Sequence, residues 1–76
     1  MRIMPLSMAR PGEEVLLVGI EAGFGLQRKL ADMGLSPGVP LRVVHSQMPG
    51  PVIIEVRGSR LALGRGMTQR IMVRGG

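Results

Sequence analysis

The chain has 76 residues, of which 45% are hydrophobic and none is cysteine. This length is typical of one domain, and the lack of cysteine excludes disulfides and thiolate metal sites. Phe24 is the only aromatic residue, so aliphatic side chains and methionines have to build the core. We expect a single domain over residues 1–76, in which 12 glycines and 6 prolines provide turns between short strands.

The charge is distributed unevenly along the chain. Residues 1–39 are balanced, whereas residues 40–76 carry six arginines against Glu55, which accounts for the net charge of +5. Such an excess favours encounter with polyanions, acidic protein surfaces or the cytoplasmic face of a membrane, although solubility alone also explains scattered arginines. The longest apolar run, Val15–Ile20, is far shorter than the roughly 20 residues that span a bilayer. Pro5 and Pro11 interrupt any signal-peptide core, so we expect a cytoplasmic location without a membrane span.

The first half of the chain predicts an edge segment, a central strand and a helix. Residues 1–10 form the edge segment, and a turn then leads into a strand over Glu14–Ile20, which is apolar on both faces. The spacing of Leu26, Leu30 and Met33 predicts a helix over about residues 25–33. Gly34 then suits the left-handed position that ends a helix.

The second half predicts short strands joined by turns. One strand covers residues 39–45, and a hairpin follows, with residues 52–57 in its first arm. Gly58-Ser59 suits a type II′ turn, which would place Arg57 opposite Arg60. Two facing arginines destabilise a hairpin unless a carboxylate compensates. Glu55, diagonal to Arg60 on the same face, is the nearby candidate, and an acidic partner surface is the other explanation. A last strand is expected over residues 70–73.

These elements predict a mainly β fold. About five short strands, with one short α-helix inserted between the first and second, are enough for a small barrel that leaves few strand edges unpaired. No internal period recurs, so repeat architectures are excluded.

The side chains that metal sites and enzymes need are scarce. His45 is the only histidine, and the five carboxylates are dispersed along the chain. No metal-ligand spacing is present, the glycine pairs do not match phosphate-binding motifs, and the serines fall in turns or tails. We therefore expect no metal site, no cofactor and no catalytic residues. An arginine donated to a GTPase in trans remains chemically feasible.

The order of elements and two segments resemble the FeoA family. The most specific part is the helix-to-turn segment from Lys29 to Gly38, supported by the hairpin from Glu55 to Leu63, and the resemblance covers residues 6–74. It implies an SH3-like β-barrel and a small cytosolic accessory of bacterial ferrous iron uptake. The implied partner is FeoB, a membrane permease with a cytoplasmic GTPase domain. A similar domain lies at the C-terminal end of DtxR-like repressors. In this sequence no DNA-binding domain precedes it, so the resemblance is to the stand-alone form.

Several side chains are candidates for partner contact. On the exposed side of the helix these are Arg28 and Lys29. In the chain that follows they are Met33 and Leu35. At the hairpin tip they are Arg57 and Arg60. Core packing is the alternative role for Met33 and Leu35, and simple solvation is the alternative for the arginines.

Other hypotheses remain open at this stage. The basic second half could bind RNA or DNA, although Phe24 alone cannot provide a row of stacking platforms. A GTPase-activating role through an arginine is a further alternative. Self-association is conceivable because Ile53 and Met72 fall on outward faces of their strands.

Overall fold

The computed structural model describes residues 2–75 and confirms a mainly β architecture. Its elements, in chain order, are β1 (Arg2–Pro5), a 3₁₀ turn (Leu6–Met8), β2 (Glu14–Ile20), α1 (Phe24–Asp32), β3 (Pro40–Ser46), β4 (Val52–Val56), β5 (Ser59–Leu63), α2 (Arg65–Thr68) and β6 (Ile71–Gly75). The predicted helix and strands are present, with ends displaced by one or two residues.

All six strands belong to one antiparallel sheet in the order β1-β6-β2-β3-β4-β5. The edge strands β1 and β5 do not pair with each other, so hydrogen bonding does not close the sheet. Instead α2, which follows β5, lies against the 3₁₀ turn that follows β1. The two edges are therefore linked by helical turns, which gives a barrel-like shape without a continuous ladder.

The predicted number of strands was too low by one. The opening segment does lie at a sheet edge, as expected, but its residues Arg2–Pro5 form a complete strand paired with β6. The helix therefore lies between β2 and β3. These two strands correspond to the first and second predicted strands, because the prediction did not count β1.

The core is aliphatic throughout the described residues. Alternation in β4 buries Val52, Ile54 and Val56, while Ile53 and Glu55 between them stay half-buried on the outer face. The side chains with no exposed area in the interior include Leu6, Leu17, Leu30, Leu35, Val43, Val52, Ile54, Ile71 and Val73. Burial of such side chains is the dominant favourable contribution to folding.

Helix α1 ends at a glycine, as predicted. Gly34 has a φ of 93°, and its amide donates to the carbonyl of Ala31 at 2.9 Å. The amide of Leu35 donates to the carbonyl of Leu30, also at 2.9 Å. These two bonds form a Schellman motif, which needs a left-handed residue at the glycine position. The buried pair of Leu30 and Leu35 supplies the apolar contact that accompanies such motifs.

The hairpin between β4 and β5 has a different register from the predicted one. Its turn is Arg57-Gly58, with φ values of 52° and 80°, which is a type I′ geometry. Ile54 therefore faces Leu61, and Val56 faces Ser59. Arg57 lies in the turn and has no cross-strand partner, so the predicted Arg57–Arg60 clash is wrong.

The corrected register creates an alternating row of charges on the outer face. Glu14 lies opposite Arg42, Arg42 opposite Glu55, and Glu55 opposite Arg60 across four neighbouring strands. Within this row Arg42 and Glu55 form an ion pair with an N–O distance of 2.8 Å. Opposite charges facing one another stabilise a sheet, so Arg60 needs no external acid to fit its position.

Replacing Arg57 by Asn is expected to stabilise the protein by about 1 kcal/mol, because Asn adopts the left-handed conformation with less strain than Arg. For a domain of this size, that gain raises the melting temperature by about 4–8 °C. Circular dichroism during heating measures the change. The control variant Arg57→Gln removes the same charge without a left-handed preference, and equal melting temperatures for the two variants would contradict the expectation.

Candidate functional site

A groove runs along the exposed side of α1. It has a volume of about 540 Å³ and is bounded by the end of β2, the helix and the turn after the helix. Its lining residues are Ile20, Phe24, Gln27, Arg28, Ala31, Leu35, Ser36 and Pro37. Most of these side chains are apolar, so the groove is suited to apolar side chains of a binding partner.

The side chain of Gln27 fixes the helix to the strand before it. Its amide nitrogen donates to the carbonyl of Ala22 at 2.6 Å and to the carbonyl of Ile20 at 3.2 Å. The N-cap residue Gly23 has no side chain to cap the helix, so Gln27 is the side chain that holds the connection. This contact sets the position of Phe24, the first residue of α1.

Phe24 projects into solvent at one end of the groove. Its side chain is 90% exposed, which is unusual for the only aromatic residue of a chain whose core is aliphatic. The neighbouring Gly23 and Gly25 have no side chains that could cover it. An exposed aromatic ring beside an apolar groove is typical of a binding surface.

One cation of α1 lies at the groove, and a second is exposed beside it in the sequence. Arg28 lines it, and Lys29 follows on the same helix. In the part of the chain that the structure describes, the ion pairs within 4 Å are Arg2–Glu13 and Arg42–Glu55. Arg28 is thus not paired with Asp32, one turn later on the helix, and its charge is available at the groove.

The sequence-predicted residues near the helix have different environments. Arg28 and Lys29 are exposed, and Met33 is 39% exposed at the end of the helix. Leu35 has no exposed area, because the Schellman motif turns it into the core beside Leu30. Of the two roles expected for Leu35, its burial favours core packing, and from that position it closes the floor of the groove.

The hairpin tip forms a second, smaller surface. Arg57 and Arg60 are both exposed there, as predicted. Arg57 and Gly58 border a shallow cleft of about 280 Å³, together with Glu14, Arg42 and Glu55 of the charge row and the start of β3. This cleft is polar, in contrast to the groove. Antiparallel pairing places the hairpin tip beside the start of β3, which follows the turn that ends the groove.

The described residues 2–75 contain no group of three or more His, Asp or Glu side chains placed to hold a metal ion. None of the helices in this part of the chain is long and apolar enough to cross a membrane. The surfaces that the structure does offer for contact are the groove and the cleft at the hairpin tip.

Sequence reasoning missed part of the groove. Ile20, Ala31 and Pro37 are ordinary apolar residues in the sequence, and only folding brings the end of β2 and the turn after α1 together. Phe24 did carry a signal, because it is the only aromatic residue and stands between two glycines, where no neighbour could bury it.

Comparison with known proteins identifies the family. The model of the FeoA domain matches residues 4–75. The chain is 46% identical over 69 residues to a candidate Fe(2+) transport protein A of Methanocaldococcus jannaschii, a match that covers 91% of this chain and 83% of that protein. The chain belongs to the FeoA family.

Solved structures extend the comparison to the fold. The chain is similar over its full length, and over the full length of the other chain, to a crystal structure of an iron uptake regulatory protein, FeoA, at 39% identity and a TM-score of 0.90. It also matches a manganese-dependent transcriptional repressor at a TM-score of 0.86 and 24% identity, covering 97% of this chain and 42% of that one. The latter likeness shows the fold alone. The predicted SH3-like fold of the FeoA family is thus confirmed.

Replacing Gln27 by Glu in this FeoA-family chain is expected to lower the free energy of unfolding by about 1–3 kcal/mol. The carboxylate would lose both donated hydrogen bonds and would face the carbonyl oxygens of Ile20 and Ala22. Urea denaturation measures the change. The matched control is Gln47→Glu, at an exposed loop position, which is expected to change stability by less than about 0.5 kcal/mol. Equal stability of the two variants would argue against the role of Gln27.

Proposed function

We propose that this chain is a cytoplasmic accessory of ferrous iron transport that binds the cytoplasmic part of a FeoB-like permease. The observation that carries the proposal is the FeoA-domain match over residues 4–75. The names of its relatives support it, since they refer to Fe(2+) transport and to the regulation of iron uptake. Through this partner the chain would be held at the inner face of the membrane.

The proposed mode of action is contact without catalysis or coordination of iron. The described side chains offer no three-ligand cluster for an ion, whereas they do offer an apolar groove and exposed cations. A protein of this kind alters its partner by favouring one of the partner's conformations, which requires only a difference in affinity between those conformations. Iron would then be handled by the permease.

The proposed contact surface consists of Arg28, Lys29 and Met33 on the helix side and Arg57 and Arg60 at the hairpin tip. The net charge of +5 favours an acidic counterpart, because opposite charges steer the encounter of two proteins. Such steering raises the association rate more than the lifetime of the complex. The complex should therefore form faster at low ionic strength.

Titration of the purified chain onto the detergent-solubilised permease, and onto its cytoplasmic part, tests the proposal. We expect saturable association whose rate falls as salt is raised. Reversal of charge in Arg57→Glu should slow association by a factor on the order of three, because the hairpin tip belongs to the proposed surface. Arg70→Glu, at another exposed arginine, is the control and should have a smaller effect.

The same preparation separates this proposal from its alternatives. Undetectable binding to the complete permease would contradict it. Accelerated GTP hydrolysis by the permease on addition of the chain would favour a GTPase-activating role through an arginine. Site-selective RNA or DNA binding at roughly physiological salt would favour the nucleic-acid hypothesis.

A further inference from the structure

The groove beside α1 combines an exposed aromatic ring, Phe24, with the cation Arg28, which forms no ion pair within residues 2–75. We propose that it binds a segment of the partner protein in which an apolar side chain stands next to a carboxylate. The apolar side chain packs against Phe24, and the carboxylate lies on Arg28. This inference rests on the proposed function, because it names the site at which the transport partner is held and the chemistry of the segment that fits it.

The apolar part of the segment follows from the lining of the groove. Phe24, Ile20 and Pro37 present apolar surface, and Leu35 closes the floor. The side-chain amide of Gln27 already donates hydrogen bonds to the carbonyls of Ile20 and Ala22. Few directed polar groups are left to orient a polar metabolite, whereas an apolar side chain gains contact with the apolar majority of the lining. A volume of about 540 Å³ has room for a few side chains of a peptide segment.

The acidic part of the segment follows from the charge at the groove. Arg28 lines it and Lys29 is adjacent in the helix, while Asp32 forms no ion pair with either among residues 2–75. A carboxylate of the partner is the group that a guanidinium binds with two parallel hydrogen bonds. A carboxylate placed beside the apolar contact would be shielded from water, which would strengthen its hydrogen bonds to Arg28.

A second copy of this chain is a poor occupant. The sequence has five acidic residues against ten basic ones, and two of the five, Glu13 and Glu55, are already held in ion pairs. Two copies therefore repel each other at long range and offer few carboxylates to Arg28. A nucleic-acid strand is also a poor occupant, since Phe24 can stack one base only.

The experiment uses the complete chain, the detergent-solubilised permease and overlapping synthetic peptides that cover the permease's cytoplasmic part. Affinities are measured for the wild type and for two pairs of variants. Phe24→Ala is matched by Met48→Ala, since these side chains are 90% and 75% exposed and neither supports the core. Arg28→Glu is matched by Arg70→Glu, since both arginines are exposed.

Phe24→Ala should weaken binding of the permease by about 30-fold, and Met48→Ala by less than about 3-fold. Arg28→Glu should weaken it by about 10-fold, with a smaller effect for Arg70→Glu. Among the peptides, only those with an apolar residue next to Asp or Glu should bind. Amide chemical-shift changes in the labelled chain should concentrate on residues 20–37.

Each contrary outcome has a separate meaning. If the permease binds Phe24→Ala and Arg28→Glu as tightly as the wild type, the groove is not the site, and the proposed function still stands. If the wild type fails to bind the permease, both fall together. If Phe24→Ala instead abolishes self-association in the ultracentrifuge, or binding to an RNA probe, a different occupant is established and this inference is overturned.

Discussion

The burial of Leu30 and Leu35 in one core cluster, with a backbone hydrogen bond between them, is the constraint on which the rest of the site depends. These side chains have no exposed area, and the amide of Leu35 donates to the carbonyl of Leu30 at 2.9 Å. Only a left-handed residue allows this return, and Gly34 supplies it with a φ of 93°. The contact holds α1 against the sheet and brings the following turn back beside the helix. Without it the groove would lose its floor and one of its walls.

The hairpin is held by a different kind of interaction. Its inward side chains pack in the aliphatic core, whereas its outward side chains continue the row of Glu14, Arg42, Glu55 and Arg60 across four strands. Exposed ion pairs contribute little individually, about 0–1 kcal/mol. Their effect here is on register, because a hairpin displaced along this row would place like charges opposite each other. The charge row thus favours the observed register over the alternative one, which would point the same side chains into the core.

The different interactions that hold the helix end and the hairpin explain what the sequence could and could not predict. Periodicity located the helix and most strands, and Gly34 located the helix end. The hairpin register was missed because a turn at Gly58-Ser59 and a turn at Arg57-Gly58 point the same residues inward, so alternation cannot distinguish them. The unfavourable Arg57–Arg60 pairing was the signal that the first register was wrong. The groove was missed because residues 20 and 37 come to line the same groove only after the Schellman motif folds.

Two residues depart from the local rules that the rest of the chain follows. Phe24 remains exposed, although full burial of such a side chain would contribute about 1.5–3 kcal/mol. Arg57 adopts a left-handed conformation that Asn or Gly would adopt with less strain. Local conflicts of this kind concentrate at functional sites, because selection for binding can outweigh a small loss of stability. Phe24 begins α1 and lines the groove, and Arg57 borders the cleft at the start of β3. The groove ends at Pro37 and the cleft at the hairpin tip includes Pro40, so the two surfaces lie close together along the chain and one partner surface that followed it could contact both.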